Sequence, residues 1–337
     1  MKKYIRSVLA LLLAAILCLG SALAQGEMPD DVRAAYQATG DYLETLGTPQ
    51  VGSVGGEWMV IGLARSGRQV PEGYYANAEA YVRENADEND RLHRAKSTEN
   101  SRMILALTAI GADVTNVGGV NLLSGLNDMN FLAKQGNNGP IWALIALDCG
   151  NYEVPDDANY IREMLVQAVL NMQLEDGGWA FAGNAADSDM TGMALQSLAP
   201  YYVHEGETQT FAVDVNPAVD AALARLSEMQ FDDGSFGTFD GNGSIVPTSE
   251  SISQVLTALC ALGVDPEADE RFIKNGNSVV DALMEYFVEG GGFRHLLDHD
   301  LDGMATEQAY YALTAYDRLL SGKTRLYDMT DALNAAQ

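Results

Sequence analysis

Gln173-Leu-Glu-Asp-Gly-Gly-Trp179, Gln230-Phe-Asp-Asp-Gly-Ser-Phe236 and Phe287-Val-Glu-Gly-Gly-Gly-Phe293 are three copies of one aromatic-ended turn, 57 residues apart on both occasions. Self-similarity at a fixed interval marks a repeat architecture, in which each unit buries its apolar face against the next. Between the turns a second recurrence opens with polar or small residues and continues as an Ala/Leu-rich helix. Six copies are visible: 56–64, 98–107, 138–147, 189–198, 249–259 and 305–313. Apolar residues surround these helices on nearly all sides, which predicts an inner, buried layer.

Each copy follows a segment with one polar face: 31–46, 73–85, 120–133, 159–172, 217–229 and 278–287. In the fifth, Val219, Leu223, Leu226 and Met229 recur three and four residues apart while Asp220, Arg225 and Glu228 share the other side. Six amphipathic helices alternating with six buried ones predict an all-α fold, a closed α6/α6 toroid of six hairpins. No Pro- or Ser-rich linker divides the chain, so residues 25–337 read as a single toroid domain.

Residues 1–24 carry Lys2, Lys3 and Arg6, an apolar run from Val8 to Leu19, and the small-residue end Ala22-Leu23-Ala24. That order predicts a cleaved secretory signal and an extracellular or cell-envelope location. Without it the chain has 17 basic against 47 acidic residues, a net charge of about −30. Such a charge repels nucleic-acid phosphates and anionic membrane, and no later run has the roughly 18 apolar residues of a spanning helix, so nucleic-acid binding and membrane insertion are set aside. Cys149 and Cys260, in small-and-apolar stretches, read as buried free thiols.

The Gln-x-x-x-Gly-x-aromatic turn resembles the repeat of squalene-hopene cyclases, and the chain resembles the terpenoid cyclase and protein prenyltransferase toroid superfamily. It is most similar to secreted bacterial members resembling the toroid half of cobalamin carriers. The resemblance implies that Gln173, Trp179, Gln230, Phe236 and Phe293 are structural, tying one outer helix to the next. It also makes cobalamin the first ligand to consider.

Asp187-Ser-Asp189-Met190-Thr191 resembles the Asp-x-Asp-Asp-Thr motif of class II terpene cyclases, in which the middle Asp protonates an alkene or epoxide. Asp189 takes that place with Asp187 beside it, and Met190 stands where the motif has a further Asp. The same carboxylates suit helix capping, because Asp accepts hydrogen bonds from first-turn amides. No Cys-containing stretch holds His93, His204, His295 or His299, so a zinc site of the prenyltransferase kind is not expected. Asp298, Asp300 and Asp302 with Gly303 match the opening half of a calcium loop, whose twelfth position is Ala309 rather than Glu.

Parallel inner helices bring six N-termini to one mouth of the ring. Glu57, Trp58, Glu99, Asn138, Trp142, Thr191, Glu250, Glu307 and Gln308 are the ligand-binding candidates expected there, with Ser101 and Ser251 alongside. The leading expectation is a non-catalytic toroid that binds a small molecule, a corrinoid first, or a cell-surface partner at this mouth. Its alternatives are a reduced terpene cyclase using Asp189 and a toroid-type glycan-processing enzyme using the mouth carboxylates.

Overall fold

The computed structural model describes residues 26–335. The secretory-signal segment lies outside the described residues. Thirteen helices are numbered α1 to α13 in chain order, and the even-numbered ones up to α12 form the inner layer. These are α2 (Glu57–Ser66), α4 (Thr98–Ala109), α6 (Asn138–Asp148), α8 (Ser188–Leu198), α10 (Ser249–Ala261) and α12 (Gly303–Leu320). Each packs on the inner helix before and after it, and α12 packs back onto α2, so the ring closes. The all-round apolar sequence of α6 has this cause: Gly139 through Leu147 are all buried, between α4, α8 and the outer layer.

The outer layer comprises α1 (Asp30–Thr45), α3 (Tyr74–Asn85), α5 (Met129–Leu132), α7 (Arg162–Leu170), α9 (Asn216–Met229) and α11 (Val279–Met284). In α9 Val219, Ala222, Leu223 and Leu226 are buried, which is the stripe expected from their spacing. The third outer segment departs from the expected continuous helix over 120–133. A 3-10 turn at Ser124–Leu126 and the four-residue α5 replace it, with the Asp128 carboxylate accepting the Asn130 amide between them. Gly125 permits the break by lying against Asn100 and the Asp90 carbonyl, where a Cβ would meet the Asp90 oxygen at 2.5 Å. Two short antiparallel pairs, β1 (Gly237–Phe239) with β2 (Ile245–Pro247) and β3 (Phe293–Arg294) with β4 (Leu301–Asp302), lead into α10 and α12. Asp240 accepts the Asn242 and Ser244 amides, which makes its loop the tip of the first hairpin.

The aromatic-ended turns fasten neighbouring hairpins. Gln173 Nε2 donates to the carbonyls of Gly177 in its own turn, at 2.7 Å, and Ala218 in α9, at 2.8 Å. Gln230 repeats the arrangement with Gly234 and Phe272, both at 2.9 Å. Trp179 is fully buried, its indole N–H donating to the Val169 carbonyl. Gly177, Gly234 and Gly291 all have positive φ, and a Cβ on each would strike the carbonyl of Ala221, Ser278 or Ala38 at 3.0, 2.5 or 2.4 Å. The third contact joins the last repeat to α1 and completes the outer circuit. Cys149 and Cys260 are free and buried, as expected.

Residues beyond α12 add an element that the repeat pattern does not contain. The segment from Ser321 through α13 (Thr330–Ala335) folds across the carboxy end of the inner ring. Arg65, buried at the end of α2, donates to the carbonyls of Leu326, Arg325 and Asp328, to Thr324 Oγ1 and to the Asp331 carboxylate. Arg318 reaches Thr324 and Asp331 from α12. The Met329 amide donates to the Cys149 carbonyl at 2.7 Å. No described helix is long and apolar enough to cross a membrane.

Candidate functional site

The amino ends of the inner helices meet at one mouth. Asp187 N-caps α8, accepting the Met190 and Phe181 amides at 2.7 Å each. Thr248 and Asp302 cap α10 and α12 in the same way. Asp187 is thus a cap, and the carboxylate beside it is different. Asp189 lies between the Ser188 and Ser251 hydroxyls, and burial pushes it up to about 6 while those hydroxyls pull it down.

Glu57 is sealed from solvent, taking Arg102 Nε at 2.7 Å and the Gly52 amide at 3.0 Å. Arg102 also donates to Glu99 at 2.6 Å. Glu250 faces the His295 ring at 2.8 Å. Glu307 accepts the Gly55 amide on Oε1 at 2.6 Å, while its Oε2 is buried without a partner. Burial holds the Glu307 carboxyl up at about 8, so this oxygen carries the proton at neutral pH. Arg102 between Glu57 and Glu99, and the raised Glu307, offset part of the mouth's negative charge.

Beneath the mouth, aromatic rings pack across part of the ring's interior. Trp58 on α2 packs against Trp142 on α6 with ring centroids 5.1 Å apart, reaching past the intervening α4. Trp58 also meets Tyr311 on α12 at 5.9 Å, and Trp142 meets Tyr327 of the carboxy-terminal segment edge-on at 5.9 Å. A row of amides crosses the other half: Gln196 donates to Gln254, and Gln254 to Gln308 and the Tyr311 hydroxyl. Trp58 is half-buried and forms the top of this layer; Trp142 is buried under it.

Among the expected site residues, Trp58, Glu99, Asn138, Asp189, Glu250 and Gln308 remain partly exposed at the amino ends of their helices. Glu57, Trp142, Thr191 and Glu307 do not. Thr191 is fully buried, its hydroxyl between the Trp179 amide and carbonyl, and Thr306 has the same relation to Phe293. Both belong to the seam. Asp298 is on the surface and the Asp302 carboxylate accepts the Ala305 amide at the cap of α12. Asp298, Asp300 and Asp302 line one shallow cleft with His295 and His299, and among the described residues no three His, Cys, Asp or Glu side chains are grouped closely enough to hold a metal ion.

A chamber of about 450 Å³ lies at the opposite, carboxy end, bounded by α6, α8, α10 and the segment around Tyr327. Asp148 takes Arg162 and the Tyr201 hydroxyl there, and burial pushes its carboxyl up to about 6 against both partners. Sequence reading missed this chamber, because Tyr201, Arg325 and Tyr327 lie outside every repeat. The signal for it was Arg65 and Arg318 in otherwise apolar inner helices, since buried guanidinium groups require partners that the repeats do not supply.

No protein-family model matches the chain, and no curated protein matches it in sequence. Among solved structures it is similar to an ent-copalyl diphosphate synthase from Streptomyces platensis, at 19% identity and TM-score 0.47, over 79% of this chain and 50% of that one. It is also similar to the type II terpene cyclase MstE from Scytonema in complex with geranylgeranyl dihydroxybenzoate, at 12% identity and TM-score 0.48, over 86% and 98%. The closed ring of inner helices within an outer layer is itself an α/α toroid. The chain spans half the length of the synthase, and a likeness of this degree carries no activity with it.

Proposed function

We propose that this toroid is a binding protein, which holds a neutral, ring-containing ligand over Trp58 between its amino-end mouth and a second body. One observation carries the reading. Val54, Phe181, Phe239, Ile245, Leu297 and Met304 are exposed, and all six belong to the loops, hairpins or first turn that open inner helices. Large apolar side chains gathered at a rim mark a surface that another body covers. Inside that rim, the indole face and the Gln308 amide suit a flat, amide-bearing ligand, and the remaining carboxylates disfavour an anion. A corrinoid has that chemistry and is the ligand we assign first, with the chain acting outside the cell as its leader-like residues 1–24 suggest.

Equilibrium dialysis against cobalamin tests the assignment. Saturable retention is expected, at least tenfold weaker in Trp58→Ala. No retention by the wild-type protein at about 100 µM excludes a corrinoid.

A second reading has its own support. Two acids at the mouth, Asp189 at about 6 and Glu307 at about 8, have the raised pKa of proton donors. A reduced cyclase would use Asp189 as its acid. The aromatic packing stands against it, because Trp58, Trp142, Tyr311 and Tyr327 occupy the interior directly beneath Asp189's mouth, where a polyprene would enter.

A further inference from the structure

We propose that the chamber at the carboxy end of the ring is a second binding site, for a small carboxylate bearing a flat apolar ring and a hydrogen-bond donor at its far end. The inference is independent of the amino-end reading. At about 450 Å³ the chamber has the size of a small-molecule pocket. Its lining is mixed, with one apolar and aromatic patch among polar and charged groups: Tyr201 and Phe211 pack with centroids 4.5 Å apart, and Ile145 and Leu326 also line the chamber.

Two buried polar groups in this lining lack partners, and a half-buried guanidinium beside them has donors to spare. Gln196 is 4% exposed, and its Oε1 accepts no hydrogen bond. Tyr327 is 9% exposed, with a hydroxyl that is also without a partner. Arg325 donates once, from Nη1 to the Ala199 carbonyl at 2.9 Å, and makes no ion pair among the described residues. Burying a polar group without a partner is costly, so the presence of Gln196 Oε1 and the Tyr327 hydroxyl on one cavity, beside Arg325, points to a ligand that satisfies them.

The kinds of group define the ligand. A half-buried guanidinium with free donors recognises a carboxylate through paired N–H···O bonds. The Gln196 oxygen requires a donor, and the Tyr327 hydroxyl serves either way. The chamber's own acids are mostly committed. Asp148 is held by Arg162 and Tyr201, and the Asp328 carboxylate by the Thr330 amide and hydroxyl. Glu153 is the remaining acid, exposed on the loop after α6, and it opposes a bound anion.

The full chain is titrated with 4-hydroxyphenylacetate, with its amide 4-hydroxyphenylacetamide and with phenylacetate, by calorimetry and by the indole N–H signals of the three tryptophans. A ligand of this size is expected to saturate at a Kd of about 1 mM or tighter. The amide should bind at least tenfold more weakly, and phenylacetate severalfold more weakly. The Trp142 signal should move, since that ring abuts Tyr327, while that of Trp179, bonded to Val169 on the far side, should not. Arg325→Gln should abolish saturation. Because Arg325 also ties down the terminal segment, Glu153→Gln provides a variant on the surface, expected to tighten carboxylate binding at least twofold. Absence of saturable binding to the wild-type chain, equal affinity for acid and amide, or weaker binding in Glu153→Gln would each overturn the proposal.

Discussion

At the amino ends of the six inner helices neighbouring hairpins are tied to one another pair by pair, whereas at the carboxy ends one segment, residues 321–335, crosses several hairpins at once. The amino end is built from repeated parts: a capping side chain, an aromatic ring under the seam, a glycine pressed on the next outer helix. Loss of one part leaves the others in place. The carboxy end depends on Arg65 and Arg318 converging on Asp331, and has no second copy. A repeat fold can thus combine distributed stability at one end with a single latch at the other.

The largest expected effect is at the latch. Arg65→Ala removes a buried guanidinium, leaves the Leu326 and Arg325 carbonyls without their donor and Asp331 with Arg318 alone, and should lower unfolding free energy in urea by about 4 kcal/mol. A loss below about 1 kcal/mol would mean that the segment is not a latch.

Next comes the buried acid at the amino mouth. The folded-state value of Glu307, about 8, lies above the ordinary 4.5, so the folded chain keeps a proton that the unfolded chain releases. Its contribution to stability is full below about pH 4.5 and falls as pH rises toward 8, by on the order of 3 kcal/mol. Glu307→Gln keeps an oxygen for the Gly55 amide without the proton. Denaturation from pH 5 to 8 should show a shallower decline in the variant, and parallel curves would refute the assignment.

Seam residues should cost less, and unequally. Gln230→Ala leaves the Gly234 and Phe272 carbonyls unpaired in a buried place and should cost about 2 kcal/mol; Gln173→Ala, in a half-exposed turn, about 1 kcal/mol. Asp187→Ala should cost about 1 kcal/mol, the worth of an N-cap. If either seam variant matched Arg65→Ala, the contrast between the two ends would fail.

How much of this was legible in the sequence follows the same division. The 57-residue interval exposes the seam, because Gln173, Gly177 and Trp179 serve roles that each hairpin repeats, and residue pattern records a role that recurs. The six inner helices were legible for the same reason, and their bounds shifted by a few residues except in α12, which extends to Leu320. The third outer segment was misread, since apolar spacing over 120–133 does not register the close approach at Gly125 to Asn100. At the mouth, sequence placed Glu57 and Thr191 among ligand contacts because they begin inner helices, but it does not say which way a first-turn side chain faces. The carboxy chamber was illegible: Gln196, Arg325 and Tyr327 come together through one non-repeating segment, and no spacing encodes it.

The proposal that the chain binds rather than cyclises, argued from the aromatic rings packed beneath the mouth, has a direct test. Purified protein is incubated with geranylgeranyl diphosphate, and the extract is analysed by gas chromatography and mass spectrometry after phosphatase treatment. Only geranylgeraniol is expected, from the wild-type chain and from Asp189→Asn alike. A cyclic product made by the wild-type protein and absent with Asp189→Asn would contradict the account and establish Asp189 as the acid of a cyclase.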